Sequence, residues 1–350
     1  MRLPRLSRLV RLRLLIVACA FAEPGSGLPA SAAPTGNPAF TDPAQADADF
    51  RIQGEYAGEV QIDGHSVPIG VHVIALGDGK FDFVAYPGGL PGAGWNASDR
   101  IRGTGAREGD GDTAVVKLEA VDKDGLTRKG RIENGVLHAL SDVDSALGSL
   151  ARVDRASPTL GQKPPEGAIV IFAGGEDTDT SRLVDGRVSP DGLLMEGVTT
   201  KDDFGDARWH IEFRLPYQPQ DRGQARGNSG AYLQGCYEVQ MLDSFGLDGK
   251  DNECGGIYKA AAPRVNACLP PLSWQTYDID FTAPRFDGEK KTANARMTVR
   301  HNGILIHDDQ EIPAFTPGGP RKQEGPKGPL FLQNHGNPVR YRNIWVLPKS

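Results

Sequence analysis

Hydrogen-bonding side chains recur at every second position in NSGAYLQGCYEVQMLDSFG, residues 228–246. Tyr232 and Gln234 precede a Gly-Cys break, and Glu238 and Gln240 follow it. Alternate residues of a strand share a face. Two short strands would therefore present Tyr, Gln, Glu and Gln on one side, with Val239 and Met241 on the other. RWHIEFRLP sets His210, Glu212 and Arg214 opposite Ile211, Phe213 and Leu215, and LFLQNHG sets Gln333 and His335 opposite Leu332. If these strands are neighbours on one sheet, they build a patch of Glu, Gln, Tyr, Arg and His that is poor in Lys. Such side chains both donate and accept hydrogen bonds, which suits a partner rich in hydroxyls. A solvated outer face of an antiparallel sheet would show the same alternation. DNECGGIYK adds Asp251, Glu253, Tyr258 and Lys259 in a loop, either as a rim of the site or as a solvated turn.

The elements that must carry these faces are strands. The chain has 350 residues, 44 of them Gly and 26 Pro, a composition of many turns and few long helices. That length suggests two domains. A net charge of −6 without a basic stripe argues against a nucleic-acid partner. Residues 50–155 alternate in short runs, with Asp63-Gly64, Asp78-Gly79 and Asn134-Gly135 at hairpin positions, and predict a small all-β module of unassigned role. His65, His72 and His138 within it are far apart and read as ordinary surface or half-buried residues. SPTLGQKPPEGA, 157–168, reads as a Pro/Gly linker. From 168 to 348 further strands follow, with His301-Asn302-Gly303 as a hairpin turn and no amphipathic helix. They predict an all-β jelly-roll sandwich. All the polar-face residues lie after the linker, so the second module is expected to fold and act by itself.

The start of the chain differs. Arg2, Arg5, Arg8, Arg11 and Arg13 precede the apolar run 14–22, which ends in Ala20-Phe21-Ala22. That is the pattern of a signal peptide over 1–22. A lipid-accepting Cys19 is the rival reading, and would be the only route to a membrane. Residues 23–48 read as a flexible linker, and the protein is expected to be periplasmic or secreted. Export permits disulfides. Cys254 and Cys268 close a short loop at which a bridge contributes about 3 kcal/mol, leaving Cys236 free. A cysteine metal site is the weaker reading, since no CxxC or HxxxH spacing is present.

RWHIEFRLP, GNSGAYLQGCYEVQMLDSFG, CGGIY, PPLSWQTYDIDFTAPRF, ARMTVRHNGILI and GPLFLQNHGNPVRYRNIWV together cover nearly all of 168–348. Over these segments the chain resembles the 3-keto-disaccharide hydrolase domain family. The resemblance implies a concanavalin A-like jelly roll of the kind seen in laminarinase-type glycosidases. Those enzymes carry ExDxE on one strand, a pair of carboxylates for nucleophile and acid. Here the strand reads Glu238-Val239-Gln240-Met241-Leu242-Asp243, with a Gln at the second position and the third carboxylate out of phase. The family implies other chemistry: a ketone at C3 acidifies the C2 hydrogen, a base removes it, and the enolate expels the C1 oxygen. Such a route needs a base, an acid and donors to the enolate oxygen. Glu238 or His335 would be base or acid, and Arg214 or Gln240 would polarise the ketone. Asn228, Tyr232, Gln234 and Gln333, with Glu212 and His210, would hold the sugar. A divalent cation such as Ca²⁺ is a candidate cofactor at Glu212, Glu238 or Asp243. The competing functions are a non-catalytic carbohydrate-binding module and a glycoside hydrolase working through a carboxylate pair.

Overall fold

Two-residue hairpin turns of type I′ need φ > 0 at both central residues, which Asn-Gly and Asp-Gly tolerate best. Asp63-Gly64 adopt φ of 50° and 78°, and Asn302-Gly303 adopt 51° and 78°. These turns set the registers Ile62↔His65 and His301↔Ile304. The computed structural model describes residues 36–349 apart from 98 and 110–113. The signal peptide expected at 1–22, Cys19 and the first part of the expected linker lie outside the described residues.

Eight strands form the first module: β1 (Gly54–Ile62), β2 (His65–Gly77), β3 (Lys80–Pro87), β4 (Ile101–Glu108), β5 (Val115–Val121), β6 (Thr127–Glu133), β7 (Val136–Leu140) and β8 (Ala146–Val153). Each pairs antiparallel with the next, and β8 pairs back onto β1, closing a barrel. Closure removes both sheet edges. Val71, Val73 and Ala75 of β2 and Phe81, Phe83 and Ala85 of β3 point inward at every second position. Residues 43–52 stopper one end. Phe50 and Ile52 pack on the barrel core, and Asp49 Oδ2 accepts from the Gly79 amide at 2.8 Å. Phe40 pairs with Tyr217 as an isolated bridge, and the Tyr217 hydroxyl donates to Asp47. The stretch 36–48, expected as linker, is thus structured, because its apolar residues complete a core that eight short strands leave open.

The second module is a sandwich. One sheet has five strands in the order β10 (Leu183–Val184), β12 (Val198–Thr200), β21 (Phe331–Leu332), β14 (Ser229–Leu233) and β15 (Tyr237–Met241). The other has β11 (Leu194–Met195), β22 (Arg340–Pro348), β13 (Ala207–Arg214), β16 (Trp274–Thr282), β19 (Ala295–His301) and β20 (Ile304–Ile312), with β9 (Ile169–Phe172) also on β22. A small ribbon of β17 (Arg285–Asp287) and β18 (Lys290–Ala293) stands apart. Between the sheets lie Ile211, Phe213, Val239, Met241, Ile279 and Val299, among others, all fully buried. The all-β jelly-roll expectation holds.

The segment 157–168 does not behave as a free spacer. Ser157 is buried and bonds Thr276, Thr159 donates to Asp278 at 2.6 Å, and the Gly161 amide donates to Glu212 at 2.5 Å. It lies over the outer face of the seven-stranded sheet because that face offers buried carboxylates in need of donors. The barrel touches the sandwich as well, with His72 stacked on Phe245 at 4.3 Å. His72 is itself buried and bonds Glu55 at 3.0 Å, rather than being a surface residue. A truncated chain starting at Glu166 would strip these donors and uncover Phe245. It is expected to melt at least several degrees below the full chain, and equal melting temperatures by calorimetry would show that the modules are independent.

Cys236, Cys254 and Cys268 are all buried free thiols, so the expected 254–268 bridge is not formed. The two thiols do sit within reach of each other. Each also has another partner: Cys254 Sγ contacts the Tyr277 hydroxyl at 3.2 Å, and Cys268 Sγ points at carbonyl oxygens.

Candidate functional site

The hairpin β14–β15 carries the polar pair at its centre. Ala231, Leu233, Tyr237, Val239 and Met241 face the core, which turns Tyr232, Glu238 and Gln240 to the opposite side. Register places Tyr232 directly across from Glu238 and Gly230 across from Gln240. The Tyr232 hydroxyl donates to Glu238 Oε2 at 2.5 Å. Gln333, arriving at the end of β21, approaches the same hydroxyl with Nε2 at 3.4 Å. Gln240 Nε2 donates to Asn228 Oδ1 at 3.0 Å, and Asn228 in turn donates to Gln224 O. A Cβ on Gly230 would fall 2.1 Å from Glu238 Oε1, so only glycine leaves room for that oxygen.

Burial pushes the Glu238 carboxyl up to about 8, against the opposing hydrogen bond from Tyr232. No arginine or lysine pairs with it among the described residues. Tyr232 is itself driven upward by burial and by the Glu238 charge, so it stays a donor. The result is a carboxyl that titrates near neutrality, with Oε2 held by a phenol and Oε1 free of hydrogen bonds among the described residues. A group with these properties serves as a general base or acid.

Several elements fix it in place. Residues 255–258 run beside the open edge of β15: Gly255 and Gly256 exchange bonds with Gln240, and the Tyr258 amide donates to Glu238 O. Tyr258 is half-buried at this rim. Across the hairpin, Thr316 Oγ1 accepts from the Glu238 amide at 2.9 Å, and Pro317 O lies 3.1 Å from the Tyr232 hydroxyl. Gly318 and Gly319 let this loop press on Tyr232, where any Cβ would collide with the ring or its hydroxyl. The segment Thr316-Pro-Gly-Gly was readable as a turn, but nothing local ties it to Tyr232, 85 residues away.

Other expected site residues fall elsewhere. β13 belongs to the opposite sheet, so His210, Glu212 and Arg214 line its outer face and not the face of Glu238. His210 Nδ1 bonds Asp278 at 2.7 Å, and these carboxylates raise its affinity for protons despite burial. Burial works against the Glu212 charge, yet bonds from His210, Asn343, Arg342 and the Gly161 amide hold it at about 2. Arg214 stacks over Trp274 and faces Asp191. Gln234 takes φ of 53° in the hairpin turn, which swings its side chain to Phe204 O and off the shared face. His335 is exposed in the loop before β22, two residues beyond Gln333.

The three carboxylates considered for a cation do not fit one ion. Glu212 is spent on Arg342, and Asp243 on Arg226 at 2.6 Å, while Glu238 stands with Tyr232. No cluster of three metal-binding side chains occurs among the described residues. Asp251 and Glu253 shape their own loop, with Glu253 Oε2 accepting from the Gly249 and Lys250 amides, and Lys259 lies over the Tyr258 ring.

No curated protein matches this chain. Among solved structures, a candidate glycosyl hydrolase from Parabacteroides distasonis is 34% identical, with 53% of this chain and 85% of that one covered at a TM-score of 0.48. A second candidate glycosyl hydrolase from the same organism is 14% identical, covering 53% and 95% of the two chains at a TM-score of 0.38. Residues 166–347, just over half of the chain and the whole of the hairpin site, match the 3-keto-alpha-glucoside-1,2-lyase-like domain. The chain belongs to the family of 3-keto-alpha-glucoside-1,2-lyase-like domains.

Proposed function

We propose that this protein cleaves the glycosidic bond of 3-keto-glucosides by removing the proton at C2. The observation that carries this reading is a single buried carboxyl with its affinity for protons raised to about 8, held by a phenol that the Gln333 amide also approaches, with no second carboxylate in phase. A carboxylate that basic is a strong base for a C–H bond, and Oε1 is the free oxygen. As Glu238 takes the C2 proton, the electron pair moves onto the C3 oxygen as an enolate. Gln333, with Nε2 3.4 Å from the Tyr232 hydroxyl, supplies an amide donor for that oxygen or the sugar, whereas both donors of Gln240 are engaged by Asn228 Oδ1 and Met241 O. Re-forming the ketone then breaks the C1–O bond, leaves a C1–C2 double bond, and the carboxyl returns its proton to the departing oxygen. Water adds across the double bond to complete the cleavage.

Deuterium at C2 of a 3-keto-glucoside is expected to slow the reaction, and the unoxidised glucoside is expected to be inert. Cleavage of both at similar rates would point to a carboxylate-pair hydrolase, and binding without turnover to a carbohydrate-binding module. Because the free-enzyme pKa values appear in kcat/KM, the profile should rise with pH and level off with an inflection near 8. A profile that falls through that range would make Glu238 the acid instead. Work outside the cytoplasm is supported by the Arg-rich and apolar start of the chain. Cell fractionation, with the mature N-terminus sequenced, checks it.

A further inference from the structure

The barrel holds a cavity of its own. It measures about 450 Å³, within the range of about 300–1,000 Å³ typical of small-molecule sites. Small barrels either fill with side chains or enclose one ligand, and this one does both. Its stoppered half is packed with Tyr56, Phe81, Val116 and Ile132. Its other half turns Ala85, Gly130 and Ala139 inward among Val71, Leu118 and Leu150, and the space stays open. In an up-and-down barrel the β1–β2, β3–β4, β5–β6 and β7–β8 connections share one end. Ile62, Val121, Leu126 and Val143 sit on or beside three of these connections and are exposed, and Ile62 lines the mouth together with charged side chains.

The cations at the mouth are each matched with a carboxylate. Lys123 pairs with Asp99, Arg128 with Asp122 at 2.7 Å, Lys129 with Asp144 at 3.1 Å and Arg100 with Asp248 at 2.9 Å. Among the described residues no cation at the mouth is left over for an anionic head group. Below this charged rim the lining is aliphatic except for Phe83, which offers hydrocarbon contact rather than aromatic stacking. An apolar cavity of this kind excludes water and takes apolar guests.

We propose that the barrel binds one elongated, uncharged aliphatic molecule, such as a long-chain alcohol or the alkyl part of a neutral lipid, through this mouth. The site is separate from Glu238 and stands whatever the sandwich catalyses. The test is titration of the full-length protein with N-phenyl-1-naphthylamine, which fluoresces in apolar surroundings. One saturable site per chain is expected, displaced by 1-dodecanol at lower concentration than by dodecanoate. Gly130→Leu should weaken probe binding at least tenfold, with turnover of the keto-glucoside unchanged. A Cβ at Gly130 meets Leu118 and His138 O at an ordinary 3.5 Å, so the backbone there accepts a side chain directed into the cavity. Ala139→Phe fills the same space from β7 and decides the matter if Gly130→Leu misfolds. Absence of saturable binding, or unchanged affinity in the folded variants, overturns the proposal. Stronger displacement by dodecanoate overturns the choice of an uncharged ligand.

Discussion

Replacing Glu238 by Gln is expected to lower turnover of a 3-keto-glucoside by about 10²–10⁴ while the protein stays folded. The amide matches the carboxyl in shape and can still accept from Tyr232, but it cannot carry a proton to or from carbon. No neighbouring carboxylate can substitute, since Asp243 is held by Arg226 and Glu212 lies on the other sheet. The same variant should differ in its response to pH. In the wild type the folded carboxyl binds its proton more tightly than the unfolded one, about 8 against 4.5. Stability from this group is therefore full below pH 4.5 and falls as pH rises towards 8, by up to about 5 kcal/mol. Glu238→Gln has no such titration and should lose less stability between pH 5 and 8. Near-normal turnover in folded Glu238→Gln protein would remove Glu238 from the mechanism.

Arg226→Met is expected to cost about 3–5 kcal/mol of stability, the usual price of leaving one member of a buried ion pair alone. Arg226 Nε donates to Asp243 Oδ2 at 2.6 Å, and both side chains are almost wholly buried. Its Nη1 also donates to Ala75 O of β2 at 3.2 Å, so one guanidinium links the barrel to the loop that follows β15. Losing it would strand Asp243 and loosen Phe245 from His72, close behind Gln240. Arg182→Met, at the exposed pair with Asp202, is the comparison and should cost no more than about 1 kcal/mol. Chemical denaturation of the three proteins gives the difference. Equal losses for the two variants would mean that the Arg226–Asp243 pair carries no special weight.

Local regularities were legible in the sequence. Asp63-Gly64, Asn134-Gly135 and Asn302-Gly303 all take positive φ and close the hairpins expected of them. The alternation in RWHIEFRLP and in YEVQM sorted core from polar face correctly, with Ile211, Phe213, Val239 and Met241 inside. Tyr232 and Glu238 became partners because a hairpin pairs residues that are near in sequence.

Sheet membership was not legible. β13 alternates as β15 does, yet its neighbours are β16 and β22, residues 60 and more away in the chain. Its polar face therefore seats the 157–162 segment and lies on the sheet opposite Glu238. A side-chain period belongs to one strand's backbone geometry and can be read from a few residues. Which strand lies beside it is settled by non-local pairing and burial, to which no short stretch testifies. For the same reason composition marked 157–168 as a spacer, although donors at Thr159 and Gly161 meet carboxylates contributed by β13 and β16. By itself, then, the sequence determined strands, turns and core faces, and put Tyr232 and Glu238 on one polar face. Only the tertiary structure decided that Gln333 and the Thr316–Gly319 loop join that pair, that His210, Glu212 and Arg214 do not, and that the first module closes around a cavity.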